Sequence, residues 1–193
     1  DLQVCEYTLI AQDHEIPGVF MNVTGALAAL GLHVLDAQIM TRNDGIIFDS
    51  FFVDDPDFDG PPTAIKREKV GRAIIDVLSG KESIKNLMKR NHRLFFERSF
   101  PVTVKPTEVK IDNETSDKFT IIDVFADDRQ GLLWVIARTL FELELSIHAA
   151  RIATRLDQVV DVFYVTESQG GKVQDDAGCQ KIQEILTKAV DGQ

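Results

Sequence analysis

Cysteine is close to absent from this sequence, with Cys5 and Cys179 the only two. They are too few and too far apart for a disulfide framework or a thiolate metal site. No signal-peptide pattern opens the sequence, and a reducing cytoplasm is the expected location. No apolar run approaches the ~20 residues a membrane-spanning helix needs, so no membrane partner is expected. Basic residues are also in the minority, 21 against 31 acidic, for a net charge of -10. A surface of that sign lacks the long-range pull on phosphate of a duplex-binding protein, which sets nucleic acid aside as a partner. Histidine is scarce: His14, His33, His92 and His148 fall singly in different segments, so neither a metal site nor a cofactor is expected. What remains is a globular composition, 44% hydrophobic and 27% charged. The chain opens at Asp1 and enters a strand pattern within a few residues, as a piece of a longer protein is expected to do.

The sequence contains one unit twice. Shifted by 113, residues 18–44 align with residues 131–157 without a gap, and 9 of 27 positions are identical. Those are Gly18, Leu27, Leu30, Leu32, Ala37, Ile39, Thr41, Arg42 and Asp44, matched by Gly131, Leu140, Leu143, Leu145, Ala150, Ile152, Thr154, Arg155 and Asp157. Dropping one residue extends the match, pairing Asp49, Phe51 and Val53 with Asp161, Phe163 and Val165. The repeat is too long and too seldom repeated for a solenoid; two domains are expected. They are placed at residues 1–80 and 116–193, with a basic connector and possible shared strand at 81–115.

Each copy reads strand, helix, strand, strand, helix. Tyr7 to Gln12 is extended and leads into the turn Asp13 to Gly18; Phe20, Val23, Leu27 and Leu30 then recur at helical spacing, as do Leu133, Ile136, Leu140 and Leu143. Val34 to Arg42 and Ile46 to Val53 flank Asn43-Asp44-Gly45, a hairpin signal. The third strand is apolar on both faces, with Phe51 and Val53 against Phe48 and Phe52. It is therefore expected to be central, with helices on one face and a second sheet, domain or subunit on the other. Val70, Ile74, Val77 and Leu78 mark a second helix, matched by Ile182, Ile185, Leu186 and Ala189. Val102 to Ile111 is extended but interrupted by Pro106, and either copy can take it as a fourth strand.

The turn before each first helix is where chemistry is expected. A helix start presents free N–H groups and a partial positive charge suited to an α-carboxylate. Gly18 and Gly131 let a ligand approach the backbone, and oxygens of Asp13, Glu15, Asp127 and Asp128 can accept from its ammonium group. An ordinary capping turn explains the same residues without a ligand. Asp49 and Asp161, matched acids among apolar strand residues, either orient a site or subunit contact or make a structural hydrogen bond. Asp55, Asp57 and Asp59 imitate the opening of a calcium loop, but Lys66 stands where its closing Glu belongs and Pro61-Pro62 intervenes, so a solvated loop is expected. Trp134 is expected in a core or interface. The basic run from Lys81 to Arg98 is expected to be a solvated helix face, with docking of another domain the alternative.

The order β-α-β-β-α-β with glycine at the start of the first helix resembles the ACT domain, a ferredoxin-like module. The fold expected is α+β, with two tandem ferredoxin-like ACT domains, each an antiparallel sheet with two helices on one face. Asp128-Arg129-Gln130-Gly131-Leu132-Leu133, Ile147 to Thr154 and Val160 to Thr166 are similar to the last ACT domain of bacterial PII uridylyltransferase/uridylyl-removing enzymes; Pro17 to Phe20, Leu35 to Ile39 and Asp49 to Val53 are similar to the penultimate one. This resemblance implies a region that senses an amino acid, glutamine foremost, for an enzyme that attaches UMP to the PII protein and removes it. It implies the missing catalytic domains as partners and PII as their substrate. It also directs attention to the start of the second strand, where many such domains place Asn or Asp and this chain has His33 and Ser146. No nucleotidyltransferase motif is present and no histidine is followed by aspartate, so the chain by itself is expected to be silent in catalysis. A different class of function, dimerisation or domain docking without any small ligand, is carried by the doubly apolar third strands.

Overall fold

The computed structural model describes residues 4–12, 18–42, 44–58, 60–91, 106–155 and 158–192. Asp13, Glu15, Pro17, Asn43, Asp59, His92 and the segment Val102 to Lys105 lie outside the described residues.

The first copy supplies β1 (Cys5–Gln12), α1 (Val19–Ala29), β2 (His33–Thr41), β3 (Ile46–Asp54) and α2 (Ala64–Leu78), followed by the short α3 (Ile84–Arg90). The second supplies β4 (Glu108–Asp112), β5 (Thr120–Asp127), α4 (Leu132–Glu142), β6 (Leu145–Arg155), β7 (Gln158–Glu167) and α5 (Asp176–Val190). Both copies are entered the same way: Gly18 and Gly131 hold left-handed backbone at φ 65° and 79° immediately before their helices. That conformation is nearly free for glycine and costly for other residues, which accounts for the repeated glycine without any ligand.

The seven strands of the described residues form one antiparallel sheet in the order β1-β3-β2-β6-β7-β5-β4. The two units join edge to edge through β2 and β6, with Ala37 opposite Ile152 and Ile39 opposite Ala150. The extended segment around Ile111 goes to the second unit: β4 pairs with β5 at the far edge of the sheet. Its fourth strand therefore comes from ahead of the unit.

Alternation along the strands divides the sheet into two faces. One carries Phe51, Val53, Ile122, Phe163 and Val165, all fully buried in a core that continues across both units. Phe20 bridges them, stacked on Phe51 at 5.9 Å between centroids and edge-on to Phe163 at 6.3 Å. The other face is less covered than the apolar third strands imply. Ile10, Met40 and Phe48 stand 67%, 54% and 42% exposed.

Above the seam the first helices of the two units, α1 and α4, pack together. Gly25 lets them meet, since a β-carbon there would lie 2.8 Å from the indole of Trp134 and 3.0 Å from Ile84. Trp134 thus sits at an interface between units, with the Arg138 guanidinium 5.0 Å over its ring. Replacing a helical glycine ordinarily gains helix propensity, but here overpacking should dominate. Gly25→Val is expected to lower the unfolding free energy by roughly 1–3 kcal/mol in urea denaturation; an unchanged midpoint would rule out so close an approach.

Candidate functional site

Among the cavities that the described residues form between the units, two map onto each other through the internal repeat. The larger, about 230 Å³, lies between the start of α1 and the start of β6 and includes Gly18, Asp49 and Ser146 in its wall. The smaller, about 30 Å³, lies between the start of α4 and the start of β2 and includes Gly131, Asp161 and His33. Among the described residues, those lining the larger cavity, Thr41 and His148 apart, have their repeat counterparts lining the smaller. Each cavity takes its helix start and buried acid from one unit and its strand start from the other.

This geometry sorts the residues expected from sequence. Gly18 and Ser146 meet in the larger cavity, while His33, Asp128 and Gly131 meet in the smaller. Asp127, the last residue of β5, lines neither. Asp13 and Glu15 lie outside the described residues. The buried acids Asp49 and Asp161 belong to the cavities although the sequence left them between a site and a structural role. Their signal was an acid at the same place in both copies, surrounded by apolar strand residues.

Size and chemistry separate the two cavities. The larger is just below the ~300 Å³ at which small-molecule pockets usually begin, whereas the smaller has room for about one water molecule. Asp49 is fully buried in the larger. An acid on one side and the amide N–H groups of a helix start on the other suit the ammonium and carboxylate ends of an α-amino acid.

In the smaller cavity His33 occupies the position that Ser146 has in the larger. Its Nε2 is 2.7 Å from Asp128 Oδ2, in the turn of the other unit, and its Nδ1 is 3.5 Å from Asp54. Burial disfavours the imidazolium, but the hydrogen bond to Asp128 and the charges of Asp128 and Asp54 outweigh it and push the pKa up to about 10. The pair therefore stands as an ion pair across the seam at neutral pH. The turn holding Asp128 is fixed on both sides: Gln130 Nε2 donates to the Ala28 carbonyl at 3.2 Å, and the Arg129 guanidinium donates to the Val190 carbonyl at 2.9 Å.

Asp161, 1% exposed, points into this cavity. Neither carboxylate oxygen makes a hydrogen bond of normal geometry, although the Ala153 amide lies near enough to favour the charged form. Burial raises its pKa well above the carboxylate range, and the Asp128 charge adds to the rise.

Elsewhere the acid-rich loop is answered from within the chain: Lys66 Nζ lies 2.7 Å from Asp55 and 3.8 Å from Asp57, placing a cation on the acids that imitate a calcium loop. Among the described residues no three His, Cys, Asp or Glu side chains are grouped to hold a metal ion, and no helix is long and apolar enough to cross a membrane.

Comparison with known proteins agrees with this architecture. Residues 108–191 match the family described as ACR9-like, ACT-like domain, a stretch that begins at β4 and ends just past α5. Over 185 residues, 95% of its length, the chain is 36% identical to a bifunctional uridylyltransferase/uridylyl-removing enzyme of Novosphingobium aromaticivorans. It is 36% identical over 92% of its length to the enzyme of that name from Ruegeria pomeroyi, and 32% identical over 97% to that of Rhodospirillum rubrum. The chain spans 19 to 20% of these relatives. It is thus related along nearly all its length to a fifth of such an enzyme, and its second half carries an ACT-like domain.

The cross-seam pair has a pH signature. Because the His33 pKa is raised from 6.5 to about 10 on folding, its contribution is fully present below pH 6.5 and is lost as pH rises through about 10. The stability difference between wild type and His33→Gln should therefore shrink over that window, by at most ~1.4 kcal/mol per pH unit. A difference that stays constant in urea titrations from pH 6 to 10 would mean that the ion pair does not form.

Proposed function

We propose that this chain is the amino-acid-sensing region of a PII uridylyltransferase/uridylyl-removing enzyme, and that the ligand, with glutamine the first candidate, seats in the larger seam cavity. The observation that carries this reading is the placement of a buried acid and a helix start on one unit opposite the strand start of the other, around about 230 Å³. Relatives named for both uridylylation activities support the enzyme context. On this reading the activities reside in the rest of the parent protein, PII is the parent's substrate, and the chain itself is regulatory and cytoplasmic.

A ligand at the seam touches both units at once, so its binding energy depends on how α1 and α4 lie against the joined sheet. That dependence is the requirement for regulation, because a ligand shifts an equilibrium only by its differential affinity for the two states. Calorimetric titration with glutamine, glutamate and 2-oxoglutarate tests it. Glutamine is expected to give saturable heat and, at ~100 times its dissociation constant, to raise stability by about 2.7 kcal/mol. Ser146→Phe, which places a ring in the cavity, should remove both effects. Absence of binding by any amino acid would overturn the sensing role.

The exposed apolar residues Ile10, Met40 and Phe48 favour a second reading, in which the open sheet face holds a second copy or a catalytic domain without any small ligand. It predicts a homodimer or a docked complex that sedimentation resolves, that Met40→Ser with Phe48→Ser dissociates and that glutamine leaves unaltered. A monomer indifferent to the rest of its parent protein would end it.

A further inference from the structure

The two cavities share a frame but differ in size, and the exchanges among their described lining residues can be taken in turn. Where the larger has Phe141, the smaller has Ala28, so side-chain bulk at that position does not close it. Thr24 in place of Ala137 adds little, because its hydroxyl is turned back onto the Phe20 carbonyl of its own helix at 2.8 Å. Trp134 replaces Met21, and its indole edge lies against Gly25 in the helix contact. His33 in place of Ser146 is the exchange that adds both a ring and a bond across the seam. Its ring lines the smaller cavity and bonds to Asp128 across the seam at 2.7 Å.

The smaller cavity keeps the features that would receive a ligand. Helix α4 starts at its edge, as α1 does at the larger cavity. Asp161 faces it, buried and without a normal hydrogen bond. The His33 ring supplies the cation that an α-amino acid's ammonium group would otherwise bring to this acidic corner.

We propose that His33 is a latch: it stands in for the ligand's ammonium group and holds the second seam cavity shut, so that the chain takes one amino acid where its internal symmetry offers two sites. This rests on the sensing role proposed above. It makes His33 a positioning residue for stoichiometry, with no part in the larger site.

The test is calorimetric titration of the chain with L-glutamine, and with the other common amino acids where glutamine gives no heat, in wild type, His33→Ser and Asp128→Asn. His33→Ser restores the residue that the other unit carries; Asp128→Asn removes the negative charge that holds the imidazolium, in case the first variant fails to fold. One site per chain is expected in wild type and two in either folded variant. Adding Ser146→Phe to His33→Ser should return the count to one while leaving the newly opened site occupied. Two sites in wild type, or one site in folded His33→Ser and Asp128→Asn alike, would overturn the latch and leave sensing at the larger cavity intact. No binding by wild type or any variant would overturn the sensing role and the latch with it.

Discussion

Pairing of β2 with β6 is the constraint on which the rest of the structure depends. It converts two small units into one continuous sheet, covers an edge that each would otherwise leave open, and sets Ala37 and Ile39 against Ile152 and Ala150. Because the strands run antiparallel, the units are related by an approximate twofold rotation, which brings α1 beside α4 and places the helix start of each above the second-strand start of the other. Small units bury little apolar surface by themselves, and Phe20, in contact with aromatic rings of both, is one place where the core becomes common property.

The seam also explains why the candidate chemistry comes in pairs. A twofold arrangement produces two cavities from one repeat, and each inherits a glycine-led helix start and an acid on the core face of the sheet. Their fates then diverge through a few side chains. Serine leaves space; histidine supplies a ring and a positive charge that Asp128 and Asp54 retain. Burial makes such a pair sensitive, since removing one partner leaves an uncompensated charge in a poorly solvated site.

The two faces of the sheet carry different tasks. Helices and the shared core occupy one. The other retains Ile10, Met40 and Phe48 in solvent within this chain, while the relatives extend over about five times its length. The net charge of -10 disfavours polyanions as a partner.

The duplicated pattern was enough to determine much of this protein. Helix stripes such as Phe20, Val23, Leu27 and Leu30 and the apolar strands around Phe51 and Phe163 reproduce in both copies, since local periodicity reports which face is buried. The glycines at 18 and 131 were visible too, though their reason is backbone conformation as much as any ligand. Tertiary structure alone decided that the two sheets are one, that β4 joins the second unit from ahead of it, and that Phe48 remains exposed on its side. It also decided which candidates meet. His33 and Asp128 are nearly a hundred residues apart and in different copies, so no spacing rule brings them to 2.7 Å. Asp49 and Asp161 could be seen as matched acids, but whether they met a cavity depended on the rotation between units. Periodicity is a property of each segment; the seam, and every site built on it, is a property of how two copies of that segment pack.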